Sequence, residues 1–155
     1  MEYDETVYAC ALNRVFNYNC RDARRLTDMF ASPGDIFALS ERELLELLGD
    51  GGHYSSALKD PRTLKTAWEE VKWVREHGIR IIYIRDREYP GRLRECPDAP
   101  VILFHMGRAE LNHARTIAIV GTRKATVYGR EQCRRIVESL SRLSVKPAVV
   151  SGLAK

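Results

Sequence analysis

Long apolar runs are missing from this chain of 155 residues. Runs such as Val101–Phe104 and Ile117–Val120 are a handful of residues each, whereas a bilayer-crossing helix needs about 20. No transmembrane helix is expected. The N-terminus, Met1-Glu2-Tyr3-Asp4-Glu5, is acidic where a secretory signal would be basic and then apolar. The expected location is therefore the cytoplasm. Cysteine is sparse: Cys10, Cys20, Cys96 and Cys133 form no C-x-x-C pair and have no histidine at ligand spacing, so no zinc site is expected. Cys10 and Cys133 fall among apolar neighbours at helical spacing and read as small buried hydrophobes. The four histidines, His53, His77, His105 and His113, show neither H-E-x-x-H nor a recognisable partnership with Ser, Cys or Asp. Neither G-x-G-x-x-G nor G-x-x-x-x-G-K-[ST] occurs, which argues against tightly bound NAD or ATP and leaves no cofactor to expect. No internal repeat or low-complexity tract appears.

What is present is enough apolar material for a core, 45% hydrophobic residues against 30% charged. Charge is divided unevenly. Residues 1–78 hold 10 basic and 14 acidic side chains, net −4, and residues 79–155 hold 15 basic and 7 acidic, net +8. Of those 15 cations 12 are Arg, whose planar fork suits phosphate oxygens and whose face stacks on bases. Such a half-chain calls for an anionic partner.

The acidic part reads as short helices. Tyr8, Ala11, Leu12, Val15 and Phe16 give one apolar stripe, and Ala23, Leu26, Met29 and Phe30 a second. Ser32-Pro33-Gly34-Asp35 offers an N-cap, a proline at the first helical position and an acid in the first turn. Ser40-Glu41-Arg42-Glu43 is a capping box ahead of a leucine-rich helix that stops at Gly49-Asp50-Gly51-Gly52. A last helix begins near Pro61, buries Leu64, Ala67, Trp68, Val71 and Val74, and ends at His77-Gly78. Trp73 falls on its opposite face, either packed on the next domain or partly buried in its own module. Glu41, Glu43 and Glu46 read as a solvated helix face.

After Gly78 the pattern becomes strand-like: Ile79–Ile84, Val101–His105 and Thr116–Val120. Tyr89-Pro90 and Pro97-Asp98-Ala99-Pro100 punctuate the first connection as turns. A helix spans Thr126–Leu143, with Cys133, Ile136, Val137, Leu140 and Leu143 on one face and Arg130, Arg134 and Arg142 on the other. Pro147–Ser151 is a second buried strand. Strand, glycine turn, helix and strand make a βαβ unit with parallel strands and a right-handed crossover. The expected organisation is α/β, with a helical module at 1–78 and the first part of a parallel α/β domain at 79–155. The sheet is small, and the natural protein is expected to continue beyond Lys155.

The segment that carries chemistry is Ile117-Ala118-Ile119-Val120-Gly121-Thr122-Arg123-Lys124. A strand ends in glycine, whose missing side chain lets a ligand approach the backbone. A helix N-terminus suited to phosphate comes next. Thr122 supplies a hydroxyl, and Arg123 and Lys124 supply charge, at the strand end where ligands of open α/β sheets collect. The parallel neighbour brings Ser151-Gly152 to the same edge.

These residues resemble the bacterial DNA-processing protein A family, also called DprA or Smf. The resemblance rests on Tyr89-Pro90 with Leu93, Pro97-Asp98-Ala99-Pro100 with Leu103 and Gly107, Ala118–Arg123 with Tyr128-Gly129, and Val150-Ser151-Gly152-Leu153-Ala154. It covers residues 79–155. It implies a small sterile-alpha-motif-like or helix-hairpin-helix-like module followed by the first part of an extended Rossmann-like domain. The implied function is binding of single-stranded DNA and its transfer to the RecA recombinase in natural transformation or recombination, without enzymatic chemistry, by a protein that dimerises at full length. The family's phosphate-binding motif falls on Gly121, Thr122 and Arg123, with Lys124 and Arg130 beside it, and its serine-glycine loop on Ser151 and Gly152. Lys155 stands just before the family's Gly-Ile-Asp, which the chain does not reach. Asn17-Tyr18-Asn19-Cys20 stands where a DNA-binding hairpin would carry Gly-x-Gly, so the acidic module reads as a protein-contact or scaffold element. The rival is a nucleotide-processing enzyme of the phosphoribohydrolase type. That chemistry needs a glutamate in G-G-x-x-T-x-x-E, and no such segment appears.

Overall fold

The computed structural model of the protein describes residues 3–49 and 52–152. Contacts divide the chain into two compact units, Met1–Leu111 and Asn112–Lys155. Among the described residues it is a mixed α/β chain.

In the first unit six helices precede a hairpin. Asp4 caps α1 (Glu5–Phe16), its carboxylate accepting from the Val7 amide at 3.0 Å. Val7, Cys10, Ala11, Leu12 and Phe16 make α1 the centre of the core. Burial pushes the Cys10 thiol up to about 12. α2 (Cys20–Met29) contributes Ala23 and Leu26. α3 (Pro33–Ala38) and α4 (Glu41–Leu48) both open with complete capping boxes, at Ser32/Asp35 and Ser40/Glu43, as the sequence predicts. Gly49, at φ 60°, stops α4 in the left-handed conformation. A further helix, α5 (His53–Lys59), starts after Gly52, where the sequence pattern predicts none. Its N-cap makes no side-chain hydrogen bond and only Ser55 and Leu58 are buried, so neither cap nor stripe announces it.

α6 (Pro61–Glu76) buries Ala67, Val71 and Val74. Trp68, expected in the same core, is 36% exposed. Ala67, Val71 and Val74 take the face that packs, and Trp68 sits at its margin. Trp73 is 53% exposed, with its ring stacked on His77 at 3.9 Å.

β1 (Arg80–Tyr83) pairs antiparallel with β2 (Ile102–His105), Ile82 opposite Leu103. The change of pattern at Gly78 is thus a change from helix to strand, and not the edge of the first compact unit. Ile82, Ile84, Val101 and Ile102 join the same core as α1. Between the strands lies one helical turn, α7 (Gly91–Arg94). Tyr89 is fully buried and its hydroxyl donates to the Pro100 carbonyl at 2.7 Å, tying the two proline-marked turns together.

The second unit is a single βαβ. β3 (Thr116–Ala118) and β4 (Ala148–Val150) run parallel, Ile117 opposite Val149, with α8 (Val127–Ser141) between them. Among the described residues the strands therefore form two separate pairs, β1–β2 and β3–β4, where the sequence suggests one small sheet. Burial also differs from expectation. Cys133, Ile136, Val137 and Leu143 on and beside α8 and Val149 and Val150 on β4 are exposed: in this unit one helix lies with two strands, and among the described residues no further layer covers these side chains.

Candidate nucleic-acid interface

The basic charge of the second half is not uniformly available. Arg85 donates to the carbonyls of Thr27, Phe30 and Ala31 at the end of α2, where a cation complements the unpaired carbonyls and the helix dipole. Arg94 donates to the Ile84 carbonyl at 2.7 Å and the Asp86 carbonyl at 2.5 Å, and its own carbonyl accepts from Arg24 at 3.0 Å. Arg80 lies between Glu88 Oε2 and His105 Nδ1, at 2.6 Å from each. On α8, Arg134 bridges Glu131 and Glu138, and Arg135 joins Glu131. These pairs hold the Glu131 carboxyl below its usual range, through its hydrogen bonds to Arg134 and then Arg135. Counting arginines in the sequence cannot separate these structural cations from the rest.

The cations outside such pairings include the two that come after β3. Ile119 donates from its amide to the Val150 carbonyl at 2.9 Å, continuing the parallel ladder one step past β3. The chain then leaves the sheet through Gly121, Thr122, Arg123 and Lys124, all exposed. The Lys124 amide donates to Thr122 Oγ1 at 3.3 Å, a local turn that orders the loop. Neither Arg123 nor Lys124 forms an ion pair among the described residues, whose pairs on this unit are confined to α8. Thr126 caps α8 by accepting from the Gly129 amide at 3.0 Å. A Cβ at position 129 would lie 3.3 Å from that hydroxyl, a tight approach that would press on the cap. Arg130 folds back so that its Nη1 donates to the Ala125 carbonyl at 3.0 Å.

Parallel pairing sends β3 and β4 toward the same edge, so the loop at 121–124 and the exposed pair Ser151-Gly152 leave from neighbouring strands on one side. A Cβ added at Gly121 or Gly152 would meet nothing within 4 Å, and neither glycine has positive φ. Packing and backbone conformation therefore do not require glycine at either place. Of the expected site residues, Gly121, Thr122, Arg123, Lys124, Ser151 and Gly152 lie on these two loops, and Arg130 lies in the first turn of α8. Lys155 lies outside the described residues. The arrangement offers two exposed glycine loops, a hydroxyl, two cations outside the ion pairs of the described residues and the start of a 15-residue helix, groups suited by charge and backbone amides to an anion.

The Tyr89–Pro100 bond is a feature the sequence does not disclose. Burial pushes the Tyr89 hydroxyl up to about 12, against the lowering effect of Arg24 and Arg94. Its signal in the sequence is an aromatic directly before a proline, which marks a turn without saying what the ring touches.

Comparison with known proteins gives a consistent picture. Residues 80–155 match the family model of DNA recombination-mediator protein A. The chain is similar to the DNA processing protein DprA of Bacillus subtilis, 38% identical over 81 residues, which are 52% of this chain and 27% of the relative. It is also similar to the DNA processing protein DprA of Streptococcus pneumoniae, 38% identical over 72 residues, 46% of this chain and 24% of the relative. Protein Smf of Synechocystis is 34% identical over 73 residues, 44% of this chain and 18% of the relative. The chain thus spans about a quarter of the length of the first two relatives. No solved structure gives a significant match.

Proposed function

Residues 80–155 belong to the DNA recombination-mediator protein A family, and from that premise we propose that the chain binds single-stranded DNA through its phosphate backbone at the loops 121–124 and 151–152. The carrying observation is the pair of glycine loops leaving parallel β3 and β4 at one edge, with Arg123 and Lys124 unpaired beside the opening of α8. Phosphates would lie against the exposed amides and accept from Arg123, Lys124 and Thr122, with Arg130 at the helix opening as a further contributor. The step is binding, with no bond made or broken. The basic residues 79–155 carry the DNA-binding loops, and the acidic residues 1–78 serve as a protein-contact surface. A RecA recombinase as the recipient of the DNA, a homodimer at full length, and action in the cytoplasm during transformation or recombination rest on the family resemblance.

Nothing in the loops reads base edges, so the binding is non-specific in sequence. Contact with about 3 to 5 phosphates gives a slope of log affinity against log salt of roughly −2 to −3.5 for a single strand. Fluorescence anisotropy with labelled oligothymidylate and a mixed-sequence oligomer over a salt series measures it. A flat salt response, or strong preference for one sequence, overturns the reading.

A further inference from the structure

The two tryptophans of the chain both lie on α6, and neither is buried. Trp73 is the more exposed, at 53%. Its indole is stacked on the His77 ring at 3.9 Å with the planes 23° apart, and His77 Nδ1 lies 2.7 Å from the Trp73 carbonyl. That contact covers one face of the indole and fixes its orientation. Helical spacing places Glu69 four residues before it, Glu70 three before and Glu76 three after, the positions that neighbour a side chain on a helix surface. Glu69 is exposed and outside the ion pairs of the described residues, whereas Glu70 is held by Arg14 at 3.2 Å and Glu76 lies 3.9 Å from Lys72. An exposed, oriented indole with an unpaired carboxylate, Glu69, one helical turn away attracts a cation, by the ring quadrupole and by charge. It repels a phosphate backbone. The net charge of −4 over residues 1–78 extends the same preference.

We propose that the face of α6 around Trp73 docks an arginine- or lysine-bearing segment of another protein. Trp73 is the anchor, a basic side chain lies over its open face, and Glu69 supplies the unpaired charge beside it. Large aromatic anchors of this kind carry most of the energy in protein interfaces. The proposal does not depend on the DNA site, which lies on other residues.

The test uses the chain carrying Trp68→Phe, so that Trp73 is the sole indole. Titration with acetylated nona-arginine is expected to change Trp73 fluorescence saturably, and nona-glutamate and oligothymidylate to leave it unchanged. In the otherwise unaltered chain, Trp73→Leu is expected to weaken binding of labelled nona-arginine by roughly 3- to 30-fold, and Glu69→Gln by about 2-fold to 5-fold. Circular dichroism checks folding, and the fluorescence titration stands without the Leu variant. Equal nona-arginine affinity for Trp73→Leu and the unaltered chain overturns the proposal, as does quenching of Trp73 by oligothymidylate. Quenching that grows with protein concentration alone, with a dimer lost in Trp73→Leu, makes a second copy the occupant and also overturns it.

Discussion

Replacing Arg123 by alanine removes a guanidinium that touches no carboxylate among the described residues and sits in the loop between β3 and α8. Its loss leaves no buried charge and no unpaired partner, so folding stability is expected to change by less than about 0.5 kcal/mol. A charge-assisted hydrogen bond to phosphate is worth about 1.5–3 kcal/mol. Losing it corresponds to roughly 10-fold to 150-fold weaker single-strand binding. One fewer phosphate contact also reduces the magnitude of the salt slope by about 0.7. Arg142→Ala is the control. Arg142 caps the far end of α8, it is likewise exposed, and its removal changes the net charge equally. Fluorescence anisotropy with labelled oligothymidylate at moderate salt, with thermal melting alongside, measures both variants. Equal losses from Arg123→Ala and Arg142→Ala mean diffuse electrostatic attraction, and the reasoning from loop geometry is then refuted.

Two further predictions concern the frame. Arg85→Ala leaves the Thr27, Phe30 and Ala31 carbonyls without their shared donor. It is expected to destabilise by about 1.5–3 kcal/mol, a melting shift of roughly 4–12 °C. Arg85→Lys recovers only part, because a point charge cannot reproduce the fork, and a loss under about 0.5 kcal/mol for Arg85→Ala shows the contact to be incidental. The second concerns alkaline pH. Burial raises Cys10 to about 12 from an ordinary 9.0, and Tyr89 to about 12 from 10.0. Each folded value lies above the unfolded one, so the contribution is complete below the unfolded pKa and is lost as pH rises through the folded one. Stability is expected to fall from about pH 9, at up to about 1.4 kcal/mol per pH unit for one ionising group, and more steeply from about pH 10. Cys10→Ala is expected to flatten the stretch between about pH 9 and 10 in urea titrations, and an unchanged slope there contradicts the assignment.

Local signals in the chain are read correctly where the cause is local. Ser32, Ser40 and Thr126 cap their own helices with their own hydroxyls, so three helix starts are legible from a few residues each. The parallel pairing of β3 and β4 is also legible, since a strand–helix–strand unit with so short a crossover has few alternatives. What depends on tertiary coverage is not. Helical arithmetic gives the angle of Trp68 on α6 but not how far the α1 contact reaches round it. The apolar stripe of α8 is real as a stripe, yet Cys133, Ile136 and Val137 are left exposed among the described residues. The site shows the same division. Gly121 to Lys124 and Ser151-Gly152 are placed by topology, whereas the roles of Arg80, Arg85 and Arg94 as structural donors depend on carbonyls and side chains brought close by folding.

The central claim, that phosphate binds at the edge where β3 and β4 end, is tested most directly by amide chemical shifts. Two-dimensional NMR of the isotope-labelled chain titrated with oligothymidylate locates the contact residue by residue. The largest shifts are expected at Gly121, Thr122, Arg123, Lys124, Ser151 and Gly152, with smaller ones at the start of α8 and little change in α1 to α6. Largest shifts within residues 3–111, or an even spread over every exposed arginine, contradict the claim.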